Sequence, residues 1–223
     1  MTDNSSKRNI DVVYLYKDAG TEAIRYSLRS LVNVPVDRVI IVGSKPPWAT
    51  NVTHIPFKFT GDKFLNVWNQ MLLACKVTED FLLFNDDFFI LQKLETFDFY
   101  KKDIKRKPSK YYNAYSRTMR LFKSPKNFEV HAPMYFQSEK FQKVAKKYPI
   151  RRGLLHRSVY GNHYDISGTM TKDNKIYRFD QIEKKLQRPF ASTANKIEKA
   201  VEFKRLMLKL FPNKSIYEAD NFS

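Results

Sequence analysis

Short apolar runs alternate with amphipathic stretches through the first ninety residues or so. Ile10-Asp11-Val12-Val13-Tyr14-Leu15-Tyr16 is rich in β-branched and aromatic residues and predicts a buried strand. After the loop Lys17-Asp18-Ala19-Gly20, apolar Ile24, Leu28, Leu31 and Val32 share one face of a predicted helix over residues 21–32, which Asn33 and Pro35 stop. Residues 39–42 form a second apolar run, closed by Gly43-Ser44 and broken by Pro46-Pro47. His54-Ile55-Pro56-Phe57 predicts a short edge strand, because proline removes a ladder donor. The clearest helical period follows, with Phe64, Leu65, Trp68, Met71, Leu72 and Cys75 at three- and four-residue spacing behind Asp62 as N-cap. Lys63, Asn66 and Asn69 lie off that stripe.

The next run, Phe81-Leu82-Leu83-Phe84, leads straight into Asn85-Asp86-Asp87 and then Phe88-Phe89-Ile90. Continuous apolar runs of this length suit strands buried on both faces. The order β-α-β-β-α-β predicts an α/β fold with an open, mostly parallel sheet flanked by helices. Beyond residue 90 the texture changes. A basic stretch at 101–107 ends at Pro108, and Tyr111, Tyr112 and Tyr115 then interleave with Arg117 and Arg120. That interleaving reads either as a surface on which bases stack while cations hold phosphates, or as a strand whose tyrosines pack the core. Helices are expected at 138–148 and at about 195–211, the latter with a positive face of Lys196, Lys199, Lys204, Arg205 and Lys209.

Charge sharpens this division. Residues 1–98 carry 11 Lys and Arg against 12 Asp and Glu, leaving 29 against 11 for residues 99–223 of a chain whose net charge is +17. The excess therefore belongs to the second part, a basic, helical region suited to a polyanion such as nucleic acid. The expected organisation is a single domain over 1–223, with a ligand-binding half at about 10–92 and a basic half at about 93–223. With 43% hydrophobic residues the chain is globular and not disordered. No apolar run is long enough to span a membrane, and Met1 to Asn9 lacks the apolar segment of a secretory signal. Cys75, the single cysteine, reads as a core residue, and its solitude fits a reducing cytoplasm. No obligate protein partner is evident.

Adjacent carboxylates at the carboxyl end of a buried strand are costly unless a cation faces them, either a metal ion or a basic side chain. In open α/β sheets that end of the strand is also where ligands bind. Two further segments carry polar groups. Glu129 and His131, two apart, would share one face of a strand and could supply a general base. Residues 151–163 hold Arg151, Arg152, His156, Arg157, Tyr160, Asn162 and His163, a composition too polar for a core element and suited to phosphate. A Walker loop, a G-x-G-x-x-G turn and a G-x-S-x-G elbow are all missing, and one cysteine excludes a cysteine zinc site.

With these segments in view, the chain resembles GT-A-type nucleotide-sugar glycosyltransferases over residues 10 to about 92, with Asn85-Asp86-Asp87 in place of the D-x-D-like motif. His131-Ala132-Pro133 and Arg157-Ser158-Val159-Tyr160-Gly161-Asn162 extend the resemblance to small phage-encoded, DNA-modifying glycosyltransferases. More distantly, they resemble Stealth-type sugar-phosphate transferases. The resemblance implies Asp87 on Mn²⁺ or Mg²⁺ and Asp86 on sugar or ribose, with Glu129 or His131 as base. It implies Tyr16, Lys17, Arg25, Lys63, Asn66 and Asn85 around the donor nucleotide, and Arg157, Tyr160 and His163 on the diphosphate or acceptor. The implied partners are a nucleotide-sugar donor and DNA, in the host cytoplasm. Two other readings stand beside it: a sugar or sugar-phosphate transferase acting on a polysaccharide, and a non-catalytic nucleic-acid-binding protein in which Asp86 and Asp87 are salt-bridged structural residues.

Overall fold

A computed structural model describes residues 9–94, 96–102 and 109–220. In chain order the elements are β1 (Ile10–Tyr16), α1 (Ala23–Ser30), β2 (Val36–Gly43), β3 (Thr53–Pro56), α2 (Lys63–Ala74), β4 (Asp80–Phe84) and β5 (Phe88–Ile90). They continue with β6 (Phe99–Tyr100), α3 (Lys110–Met119), β7 (Met134–Gln137), α4 (Ser138–Lys147) and α5 (His156–His163). The last are β8 (Thr169–Met170), β9 (Lys175–Ile176), α6 (Ile182–Leu186), β10 (Phe190–Thr193), α7 (Asn195–Glu198) and α8 (Val201–Leu210).

The main sheet runs β3-β2-β1-β4-β7, parallel throughout except for antiparallel β7 at its edge. This is the open, mostly parallel α/β architecture expected from the apolar runs. Period-two alternation distributes the core between two faces. Val12, Tyr14, Val39, Ile41, Leu82 and Phe84 pack with α1 residues Ile24 and Leu28 on one side. On the other, Val13, Ile40, Val42, Phe81 and Leu83 pack against Trp68 and Met71 of α2 and Phe141 of α4. Trp68 stacks on Phe141 at 5.0 Å and donates its indole N–H to the Leu154 carbonyl at 2.9 Å, so its one polar atom is satisfied in the core.

A second sheet, β5-β10-β9, lies over the α1 face. Ser27 of α1 links the layers: Tyr14 and Ser27 share a hydrogen bond at 2.9 Å, and the Ser27 hydroxyl donates to the Phe88 carbonyl. Parallel β6 and β8 make a small third sheet.

Three elements depart from the sequence pattern, each for a local reason. The first helix ends at Ser30 and tightens into a 3₁₀ turn over Leu31–Asn33, which turns Val32 out to 83% exposure while Arg29 faces inward. The tyrosine segment is helix α3, not a strand. Ser109 accepts from the Tyr112 amide as N-cap, and Ala114, Tyr115 and Thr118 are buried at helical spacing. Part of the basic stretch, residues 103–108, lies outside the described residues, and Lys101 makes an ion pair with Asp173. The C-terminal helix breaks at Ala200, whose backbone is extended. Ile197 and Phe203, six residues apart, would sit about 120° apart on a continuous helix. The break lets both enter one cluster with Phe89 and Met207.

The chain after α8 folds back onto α1. Arg29 Nε and Nη2 donate to Glu218 at 2.7 and 2.8 Å, and Nη1 donates to the Phe211 carbonyl at 3.0 Å. The Arg29 and Glu218 side chains are only 7% and 1% exposed. Removing one partner of such a pair strands a buried charge, so Arg29→Met is expected to cost about 3–5 kcal/mol in urea unfolding. The double variant Arg29→Met/Glu218→Met is expected to recover a large part of that loss.

Candidate active site

Strands β1, β2 and β3 run outward in one direction from β1, and β4 lies on its other side. The sheet therefore has its topological switch point between β1 and β4, where a crevice opens beyond the carboxyl ends. A cavity of about 770 Å³ lies there. Leu15 and Lys17 after β1, Asn85 and Asp86 after β4, and Asn66 and Gln70 from α2 line one side. Tyr111, Glu129, His131, His156, Arg157, Lys101, Asp173 and Tyr177 line the other. The end of β2 requires a glycine: Gly43 has φ +130°, where a Cβ would lie 2.0 Å from the Tyr16 carbonyl oxygen. The Gln70 amide donates to the adjacent Val42 carbonyl.

The two aspartates part company after β4. Asp86 faces the cavity, and its carboxyl is pushed up to about 7 by burial first, then by the charges of Asp87 and Glu198. Asp87, expected on a metal ion, turns the other way into the second sheet. Its Oδ2 accepts from Lys175 Nζ at 2.8 Å and from the Ser192 hydroxyl at 2.6 Å. Burial would lower the Lys175 ammonium, but Asp87 outweighs it and keeps the lysine protonated. A divalent cation on that oxygen would have to displace a lysine already neutralising it. Nor does any group of three or more His, Cys, Asp or Glu side chains converge on a metal position among the described residues. The residues as folded do not fit a metal ion at Asp87.

Glu129 and His131 reach the cavity from an irregular segment and not from a strand, with Val130 between them buried in the core. One Glu129 oxygen accepts from the Ser158 amide and hydroxyl, both at 3.0 Å, satisfying an N–H in the first turn of α5. His131 is held differently. Its Nδ1 lies 2.8 and 2.9 Å from the two Asp173 oxygens, and Asp173 also accepts from Lys101 Nζ at 2.6 Å. Burial alone would raise the Asp173 carboxyl, but its contacts with His131 and Lys101 hold it well below the usual carboxylate range. With Nδ1–H donated to Asp173, Nε2 is the proton-accepting nitrogen.

Arg157 and His156 bring unmet hydrogen-bonding capacity. Arg157 is 4% exposed, and its Nη1 donates to the Ala132 carbonyl at 2.6 Å, while Nη2 is buried with no partner. Burial lowers this guanidinium to about 10, opposed by Glu129 and Asp87, so it stays a cation at neutral pH. The buried His156 Nε2 also lacks a partner, and burial drives its pKa well below the ordinary value. An orphaned buried donor in a cavity wall, as Arg157 Nη2 is, calls for a ligand that supplies an acceptor.

Other expected site residues lie elsewhere. Tyr16 points to the α1 face, where its hydroxyl reaches Asp18, because alternation places Leu15 and Lys17 on the cavity side. Arg25 stacks over Trp48 at 4.5 Å and pairs with Glu22 and Glu218. Tyr160 is a core residue whose ring lies tilted against Phe136 at 4.5 Å, and its hydroxyl accepts from the Gln137 amide. His163 Nδ1 bonds the Tyr148 hydroxyl at 3.1 Å, outside the cavity wall. Lys17, Lys63 and Asn85 do line it, as does Asn66, whose side-chain amide is held by Thr60. Asp173, Lys175 and Tyr177 were not foreseen. They sit in and around the two-residue strand β9, too short to show a period in the sequence, and only the fold brings them to Asp87 and His131.

No protein-family model and no curated protein matches the sequence. Among solved structures, the fold is similar to an inositol-1-phosphate CTP transferase from T. maritima, at 12% identity and TM-score 0.49 over 93% of this chain and 98% of that one. It is also similar to the apo form of the glycosyltransferase GlyE of Streptococcus pneumoniae TIGR4, at 11% identity and TM-score 0.48, covering 93% of this chain and 61% of that one. A third is a glycosyltransferase involved in glycosylation of the major capsid of PBCV-1, at 8% identity and TM-score 0.46 over 91% and 100% of the chains. These likenesses are remote, and the functional reading rests on the cavity itself.

Asp86 gives a pH signature. Its carboxyl ionises near 3.8 when unfolded and near 7 when folded, so stability falls as pH rises through that window and the cost is complete above 7. Asp86→Asn is expected to raise Tm by several degrees at pH 8 and to leave it nearly unchanged at pH 4 by scanning calorimetry. A uniform shift at both values would show that Asp86 is not the group titrating.

Proposed function

We propose that the chain is a glycosyltransferase that moves a sugar from a nucleoside diphosphate donor to an acceptor hydroxyl. The observation that carries this reading is the pairing, in one cavity, of a buried guanidinium with an orphaned Nη2 and a histidine oriented by an aspartate. The first supplies charge for a leaving diphosphate and the second a base for an alcohol. Asp86 faces the same space and reaches a sugar hydroxyl. As the acceptor oxygen bonds to the anomeric carbon, its proton passes to His131 Nε2 and the bond to the diphosphate breaks. Asp173 stabilises the imidazolium that results. The departing negative charge falls on Arg157, with Lys17 and Lys63 at the cavity edge. No step is routed through a metal ion. The proposed acceptor is a hydroxyl on a nucleobase of DNA, supported by the net charge of +17 and its concentration after residue 98.

One observation favours a second reading, a non-catalytic nucleic-acid-binding protein. Asp87 is salt-bridged to Lys175, as that reading expects of Asp87, whereas Asp86, of which it expects the same, lines the cavity. Incubation with UDP- and GDP-sugars, in manganese or in EDTA, with and without DNA carrying hydroxymethylated pyrimidines, separates the two. Transfer to DNA is expected, and it is expected to persist in EDTA. No donor turnover under any of these conditions would leave the binding reading.

Substitutions divide the roles. His131→Ala is expected to lower kcat for transfer by about 10²–10⁴-fold with donor affinity preserved. Asp173→Asn is expected to lower kcat and shift the pH profile, and Arg157→Gln to weaken donor binding in calorimetry. A His131→Ala enzyme with unchanged kcat would remove histidine from the mechanism.

A further inference from the structure

A second groove of about 770 Å³ adjoins the first cavity through Gly61 and Lys63, which line both. Five exposed cations surround it: Lys63 at the start of α2, Lys110 and Arg117 seven residues apart on α3, and Arg151 and Arg152 in the turn before α5. None of the five donates to a carboxylate among the described residues, although acids elsewhere on the surface find partners, as Glu139 does with Lys143. The one acid lining the groove is Asp62, and its carboxylate is the α2 N-cap, accepting from the Phe64 and Leu65 amides at 2.9 and 3.1 Å. The groove therefore sets five cations against one carboxylate. Gly153 makes its wall narrow: at φ +68°, a Cβ there would lie 3.1 Å from Arg117 Nη2 and 3.4 Å from the Phe64 ring.

We infer that this groove binds the phosphodiester backbone of a single-stranded nucleic acid whose acceptor nucleotide enters the adjoining cavity. A single phosphate leaves most of five unpaired cations unanswered, whereas a chain of phosphates answers them in succession. The half-buried Phe64 ring in the groove and the Tyr111 ring in the cavity offer faces on which bases stack, beside the cations that hold the backbone. The inference deepens the transferase reading by placing the acceptor's backbone, as a single strand, in this groove, and it rests on that reading for the cavity's role.

Fluorescence anisotropy with a labelled single-stranded oligonucleotide tests it, measured across a salt series on Arg151→Ala/Arg152→Ala, on Lys110→Ala/Arg117→Ala and on a control, Arg205→Ala/Lys209→Ala, whose exposed cations lie on α8. Each groove variant is expected to bind about tenfold more weakly near 0.1 M salt, with the slope of log K against log salt reduced by about 1.4 for the two cations removed. The control is expected to bind as the parent does, and thermal melting checks that all three fold. Equal binding by the groove variants, no binding by the parent, or equally tight and equally groove-dependent binding of a sulfated glycan would overturn the inference. Nucleotide-sugar turnover, measured separately on the parent, reports on the cavity. Groove-dependent oligonucleotide binding without turnover would uphold the groove while removing the transferase reading.

Discussion

Asp87 and Lys175 form the contact on which the arrangement of the site depends. A strand as apolar as β4 cannot end in two carboxylates inside the protein unless at least one is matched. Lys175 arrives from 88 residues further along, and Ser192 of β10 completes the coordination of the same oxygen. The match has a geometric result. Because Asp87 is drawn toward the second sheet, the chain leaves the plane of β4 and Phe88–Ile90 pairs with β10. Asp86 is left pointing the opposite way, into the crevice between β1 and β4. Neutralising one carboxylate by protein is what makes the other available to a ligand.

The same economy of charge governs the rest of the cavity lining. Three carboxylates there have three different environments. Glu129 closes the N-terminal turn of α5, the helix that carries Arg157 and His156. Asp173 orients His131 and is itself balanced by Lys101. Asp86 has only its own backbone amide and the cavity, and burial keeps its proton on to near neutrality. Identical functional groups thus act as cap, orienter and cavity-facing acid, separated by what each is bonded to.

The fold was legible because its signal is local. Apolar runs and helical stripes place β1, β2, β4 and α2, and the side-chain alternation that splits the core follows from them. The site was legible in part. Asn85-Asp86-Asp87, Glu129, His131 and Arg157 stand out as polar groups in positions where polarity is costly. What the sequence could not convey was orientation and long-range pairing. Tyr16 and Lys17 differ by one residue and so by a whole face of the sheet. Asp86 and Asp87 read alike until Lys175 distinguishes them. Tyr160 and His163 belong to a compositionally suggestive segment, yet Gln137 and Tyr148 already bond them, and Arg25 is drawn away to Glu22, Glu218 and Trp48.

The Arg29–Glu218 pair carries a consequence for synthesis on the ribosome. Its members are separated by 189 residues, and the arginine lies on the helix that packs directly against the central strands. While the chain is being made, α1 cannot seat fully without burying an unmatched guanidinium, because the glutamate has not yet been translated. The nascent first half is therefore held short of its final packing until Glu218 clears the exit tunnel. Final seating of α1 is coupled to the emergence of a residue 189 positions downstream.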